Sequence, residues 1–156
     1  MARFSFLRCN TECNIDIELR EFIDNHFAGY NKDVLHLNEA INIIEAVLPQ
    51  SISEEEIAER IKRKKKTVQR IFIKAFGVNY KQLIAAYRIY CSLILLSEAR
   101  LDITETAIKL NYSDLSSMDR DFKKVLGITP CKVKAELKNT DPDCLYRRYY
   151  RKRKLS

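Results

Sequence analysis

The chain has 156 residues, 46% of them hydrophobic, and a formal net charge of +7, which reads as globular with room for one core, or one compact domain with appendages. Five cysteines, an odd number, argue against a disulfide framework and for reduced thiols in a cytoplasm, and His26 and His36 lie too far from Cys9 and Cys13 for zinc-type spacing, so no metal is expected. With neither a Gly-rich phosphate loop nor a nucleophile–base pattern, the composition argues against an enzyme and against any cofactor.

The charge is unevenly spread. Residues 1–50 carry 4 basic and 8 acidic side chains, residues 51–137 carry 17 and 11, and residues 138–156 carry 7 and 2. The acidic head and the basic remainder therefore suit different partners. Met1 to Leu7 does not read as a signal peptide. The greasy stretch Leu83–Leu96 is interrupted by Arg88 and falls short of the ~20 apolar residues that span a bilayer, so no membrane partner is expected.

No segment alternates as a strand does, and 3 Gly and 3 Pro give little material for β turns, so the fold class is all-α. Residues 15–28 form an amphipathic helix closed by Gly29, and residues 34–48 place Leu37, Ile41, Ile44 and Leu48 at helical spacing before Pro49. Ser53 and Glu56 make a capping box, with Ile52 able to staple onto Ile57, and a helix follows to about Lys62. Asn79 and Gln82 cap a helix running from Tyr80 to Glu98, a rod of roughly 28 Å at 1.5 Å per residue. Asp102 and Glu105 repeat the capping box.

Two stretches then prove to be copies. Arg70, Phe72, Lys74 and Gly77 are answered at constant offset by Arg120, Phe122, Lys124 and Gly127. Each Phe falls on an apolar face, each Gly sits where a left-handed C-cap is wanted, and each Arg faces away from the core. Ala58 and Ala107 are small where another helix must approach. Lys62 and Asn111 occupy the point where a tight helix-turn-helix needs a left-handed backbone. Asn tolerates that conformation, so the second turn should be the better formed and the first strained or altered.

In motif order as well as single residues, positions 34–137 resemble the DNA-binding domain of the AraC/XylS family of bacterial transcription regulators. The resemblance rests on Ile57-Ala58-Glu59-Arg60-Ile61 with Val68-Gln69-Arg70-Ile71-Phe72, on Tyr87-Arg88-Ile89, and on Ala107, Leu110, Tyr112, Arg120, Phe122, Gly127, Thr129 and Pro130. Departures are Lys62, Arg63 and Lys64, where the family usually shows Gly, an apolar residue and an N-cap Ser, and Thr106 in place of an aliphatic residue. The resemblance implies two helix-turn-helix subdomains joined by a long linker helix, with one recognition helix from each entering the major groove of double-stranded promoter DNA. It also implies a transcription regulator, an activator by analogy, with RNA polymerase as a partner. Residues 1–33 are then a short helical extension suited to a protein coactivator, too short for a ligand-binding domain, so no small-molecule effector is expected. Residues 138–156 are a basic tail.

Seven of the eleven residues from Arg60 to Arg70 are basic. In the first unit Lys64, Lys65 and Lys66 would lie against phosphates and Gln69 and Arg70 would point at base edges, Gln suiting adenine and Arg guanine. Thr67 and Lys74 complete that set. In the second unit the candidates are Ser116, Ser117, Arg120 and Lys124, while Leu115 and Met118 read as core. Asp114, Asp119 and Asp121 make this unit acidic, so the first should supply most of the electrostatics. Asp119 either accepts from cytosine or pairs with a neighbouring cation. Arg88 either bonds phosphate or ends the linker's polar stripe. The tail, with Tyr146, Tyr149 and Tyr150 among basic residues, reads as a mobile arm on DNA, a membrane-surface anchor or an RNA-stacking segment, the first being preferred. The competing reading of the whole chain is a basic RNA-binding or membrane-peripheral protein without enzymatic activity.

Overall fold

The computed structural model describes residues 18–27, 29–98 and 101–154, and among them there are helices and no strand. In chain order these are α1 (Leu19–His26), α2 (Leu37–Glu45), α3 (Glu54–Arg60), α4 (Lys65–Phe76), α5 (Tyr80–Glu98), α6 (Ile103–Lys109), α7 (Leu115–Val125), α8 (Pro130–Glu136) and α9 (Pro142–Lys154). Helices α3 and α4 form one helix-turn-helix and α6 and α7 the other. Between them α5 packs against α4, α6, α7, α8 and α9. A helix in that position must be apolar nearly all round; Leu83, Ile89 and Leu93 are fully buried, and the buried Ser92 hydroxyl donates to the Arg88 carbonyl at 2.8 Å.

Local chemistry starts most of these helices where the sequence places them. Ser53 and Glu56 satisfy each other's backbone N–H at 3.1 and 2.9 Å, Asp102 and Glu105 do so at 2.7 and 2.8 Å, and Asn79 and Gln82 at 2.9 and 3.0 Å. Gly77 and Gly127 close α4 and the end of α7 at φ +71° and +77°, conformations that cost a side-chain-bearing residue energy. Phe72 and Phe122 are fully buried beneath them. Helix α2 is shorter than its periodicity predicts, because His36 enters it at φ +65° and the chain turns after Glu45.

The two helix-turn-helix turns come out alike. Lys62 and Asn111 both adopt the left-handed backbone, at φ +53° and +55°. The N–H groups of Arg63 and Tyr112 donate back to the carbonyls of Ala58 and Ala107 at 2.8 and 3.0 Å. Of the two outcomes predicted for Lys62, the turn is strained rather than altered, at a cost of about 1–2 kcal/mol for a residue with a Cβ. Thr106 is fully buried, and its hydroxyl donates to the Asp102 carbonyl at 2.8 Å.

The tail departs from its sequence reading. Through Tyr150 it is a docked helix and not a mobile arm: Leu145 and Tyr146 are fully buried, and the Tyr146 ring lies 5.9 Å from Phe22, 5.4 Å from Tyr90 and 4.9 Å from His26. Leu145, Tyr146, Tyr149 and Tyr150 recur at i, i+1, i+4 and i+5, which gathers them on one helical stripe and turns Arg147 and Arg148 outward. The partner surface comes from the N-terminal extension. Leu19, Phe22 and Ile23 of α1 are fully buried, and His26 donates Nε2 to Asp143 of α9 at 3.0 Å. The apolar face of α1 is thereby consumed inside the molecule, leaving Glu18, Glu21, Asp24 and Asn25 exposed. Residues 1–17 of the extension lie outside the described residues.

Candidate nucleic acid interface

Helices α4 and α7 carry matching burial at a spacing of 50 residues. Val68 and Met118 are buried, Gln69 and Asp119 half-buried, Arg70 and Arg120 exposed, and Lys74 and Lys124 exposed. The corresponding faces are therefore offered outward in both units, with different chemistry on each.

Helix α4 opens with cations and without a cap. Lys64 is the N-cap and its side chain caps none of the first-turn N–H groups, only its carbonyl accepting from Thr67 at 2.8 Å, and Lys64, Lys65 and Lys66 are all exposed. Positive charge opposes the helix dipole at this end, where an anion is favoured. Lys65 pairs with the Glu55 carboxylate of α3; that hydrogen bond holds the Glu55 carboxyl below its ordinary range and the Lys65 ammonium above its own. Lys66, Arg70 and Lys74 follow one another at i, i+4 along the exposed face. Thr67 is half-buried beside them. Gln69 is not a free side chain: its amide nitrogen donates to Glu54 at 2.9 Å. Arg63 is drawn back onto α2, where its Nε donates to His36 at 3.1 Å.

Helix α7 is capped and internally paired. The Asp114 carboxylate accepts from the Ser117 N–H at 2.6 Å, which holds its carboxyl below the ordinary range. The Ser117 hydroxyl accepts from Arg120 at 2.9 Å. Asp119 pairs with Lys123 at 2.6 Å. Ser116 is exposed, and so is Leu115, at 47% of its surface. The sequence reading put Leu115 in the core with Met118; the structure buries Met118 and turns Leu115 out, because Asp114 as N-cap makes Leu115 the first helical residue, ahead of the turn that packs.

Arg88 bridges the two units. Its guanidinium lies 5.5 Å over the Tyr112 ring and donates to the Pro49 carbonyl at 3.3 Å. It borders a cleft of about 550 Å³ shared with Ser51, Ser117, Arg120, Asp121 and Lys124. Burial pushes the half-buried Asp121 carboxyl up, and it pushes the Tyr112 phenol up as well. Neither the cleft nor any other group of three His, Cys, Asp or Glu among the described residues is arranged to hold a metal ion. Cys91 is buried in α5, its thiol pushed up to about 12 by desolvation.

A family model described as a helix-turn-helix domain matches residues 57–136, more than half of the chain and a span that includes α4 and α7. The chain belongs to the AraC-type helix-turn-helix family of DNA-binding transcription regulators. It is 31% identical over 115 residues to an uncharacterized HTH-type transcriptional regulator, YtdP, of Bacillus subtilis, covering 70% of this chain and 15% of that one. It is 25% identical over 122 residues to the Msm operon regulatory protein of Streptococcus mutans, covering 78% of this chain and 44% of the relative. The chain thus spans less than half the length of either. The AraC-type fold recurs in two solved structures. A transcriptional regulator from Chromobacterium violaceum gives a TM-score of 0.58 at 19% identity, over 67% of this chain and 94% of that one. The C-terminal domain of the response regulator yesN from Fusobacterium nucleatum gives 0.56 at 22% identity, over 62% and 95%. Among the described residues no helix is long and apolar enough to cross a membrane.

Two features beside the candidate residues escaped the sequence reading. Leu115 was findable, since assigning the cap to Asp114 fixes its place. Glu54 was not: it contacts Gln69 across 15 residues of sequence, and no local pattern joins them.

Proposed function

We propose that this chain is a cytoplasmic, sequence-specific bacterial transcription activator that inserts α4 and α7 into adjacent major-groove segments of promoter DNA and meets RNA polymerase there. The observation that carries the reading is the uncapped, triply cationic start of α4. Such an end is unfavourable in the free protein and is relieved by a phosphate. The 19 residues of α5 make a rod of roughly 28 Å, suited to holding two reading helices about one turn of B-DNA, roughly 34 Å, apart on one side of the duplex.

In this reading Lys64, Lys65 and Lys66 lie on phosphate, with Glu55 releasing Lys65 on binding, while Thr67, Gln69, Arg70 and Lys74 face the groove. Ser116, Arg120 and Lys124 do the same from α7, joined by Leu115, while Ser117 orients Arg120. Arg88 supports the junction between the units, with its charge directed at the backbone between the two grooves. The unit built on α4 supplies most of the affinity. An enzymatic role has no part in this reading, and a coactivator would meet the exposed acidic face of α1.

Retention of the full chain on a selected duplex, against scrambled duplex, RNA and anionic vesicles, tests the reading. Preferential retention with two protected patches one helical turn apart is expected. Equal retention on RNA or vesicles would refute it.

A further inference from the structure

We propose that Glu54 is a positioning residue for base recognition, fixing the Gln69 amide so that α4 presents an acceptor beside a donor, the pair that fits the major-groove edge of adenine. The inference rests on the DNA-reading role proposed above and adds to it which base the first unit selects and why.

A glutamine amide is ambivalent. Its oxygen only accepts and its nitrogen only donates, and the two ends exchange places by a half-turn about the terminal bond, so an unrestrained Gln can offer either polarity to a groove. Glu54 removes that freedom. Its carboxylate oxygens only accept, so the group facing them at 2.9 Å must be the Gln69 nitrogen, and covalent geometry then puts Oε1 on the other side. Glu54 is itself nearly buried, 6% exposed as the first residue of α3, so it is held in place by its surroundings. Gln69 Oε1 has no hydrogen-bond donor among the described residues, and its nitrogen retains a second N–H. The clamped amide thus offers one acceptor and one donor from the half-buried flank of α4, next to Arg70.

Adenine offers the complementary pair in the major groove, the N6 amino donor and the N7 acceptor. Guanine offers two acceptors, O6 and N7, and its O6 would meet the Gln69 carbonyl lone pair to lone pair. The second unit has no such clamp, since Asp119 stands at the matching place and pairs with Lys123 at 2.6 Å. Discrimination for adenine therefore falls in the segment facing α4 alone. A contact that merely ties α3 to α4 would have the same hydrogen bond but no effect on base choice, and this separates the two by experiment.

The experiment uses the full chain and duplexes selected from a random pool, with base preference read at every position and thermal melting recorded alongside. The wild-type protein should prefer adenine at one position by about 5- to 150-fold, and Gln69→Ala should abolish that preference. Glu54→Gln, whose amide can either accept from Gln69 or donate to it, should weaken the preference, and Glu54→Ala should lose most of it. Glu54→Lys, which instead holds the Gln69 oxygen and turns the amino group outward, should move the preference to guanine at that position. If Glu54→Ala fails to fold, a duplex carrying 7-deazaadenine at that position answers for the wild-type protein. A loss of about 5-fold or more is expected there, and unchanged affinity overturns the bidentate geometry. A wild-type profile flat at all positions defeats the DNA-reading function itself. A sharp wild-type profile that every Glu54 variant leaves intact, with only melting altered, overturns the clamp and leaves that function standing.

Discussion

Lys64→Ser should make the protein more stable and a weaker DNA binder at once. Lys64 occupies the N-cap of α4, where its carbonyl accepts from the Thr67 N–H at 2.8 Å but its side chain offers no acceptor, whereas the Asp114 side chain in the same place on α7 accepts at 2.6 Å. A Ser cap is worth about 1 kcal/mol, within a range of about 0.5–2. Withdrawing a cation from the positive end of the dipole adds about 0.3–1 kcal/mol. The sum, about 1–2 kcal/mol, should raise the melting temperature by about 3–6 °C and move the urea midpoint upward at unchanged slope. On duplex DNA the same change removes one phosphate contact and should lower the slope of log affinity against log salt by about one, on selected and scrambled sequences alike. Stability that fails to rise would mean that the α4 terminus is already satisfied. An unchanged salt slope would take Lys64 off the phosphate backbone.

Tyr146→Ala should cost about 3–5 kcal/mol in urea unfolding, as expected for a fully buried ring, and Tyr146→Phe should be neutral or stabilising because the buried hydroxyl has no hydrogen-bond partner among the described residues; a negligible loss for Ala would undock α9. Lys62→Gly should stabilise by about 1 kcal/mol by relieving a left-handed residue, and no gain in thermal melting would argue that the turn relaxes in solution. With Leu115 against a thymine methyl, replacing thymine by deoxyuridine within the α7 segment should weaken wild-type binding about 3- to 5-fold and leave Leu115→Ala indifferent; equal sensitivity of the two proteins counts against the contact. The lowered Asp114 carboxyl adds stability that is complete above its unfolded value near 3.8 and is lost as pH falls through its lower folded value, so acid melting curves of wild type and Asp114→Asn should converge in that window.

What the sequence made legible was the part governed by neighbours within four residues. The Ser53 and Asp102 capping boxes, the Asn79–Gln82 pair and the span Tyr80–Glu98 follow from local hydrogen bonding and periodicity, and the repeated Phe and Gly of the two units announced their helix ends. The resemblance to the AraC family came from the order of these same residues. Longer-range choices stayed hidden. Tyr146 reads as one aromatic among arginines until Phe22, 124 positions earlier, supplies its other wall. His36 gives no sign of the left-handed backbone that shortens α2. Gln69 looks free in the sequence because the carboxylate that holds it lies on the preceding helix.

The clasp between α1 and α9 sets an order on folding. At about 5–20 residues per second, ribosomal synthesis delivers Tyr146 many seconds after Phe22. In that interval both helix-turn-helix units have their own partners, while α1 rests on Tyr87 and Tyr90 of α5, 5.5 and 5.4 Å from Phe22, and on α2 through Arg20 with Glu45 and with Asn42. The Phe22 ring waits for Tyr146. Closing so long a loop costs entropy and brings no local reward, so α1 and α9 should lock against each other late, on a body already folded. They form a lock that is turned after the reading heads are in place, and when the native protein breathes, the two ends should leave as one unit before either reading head does.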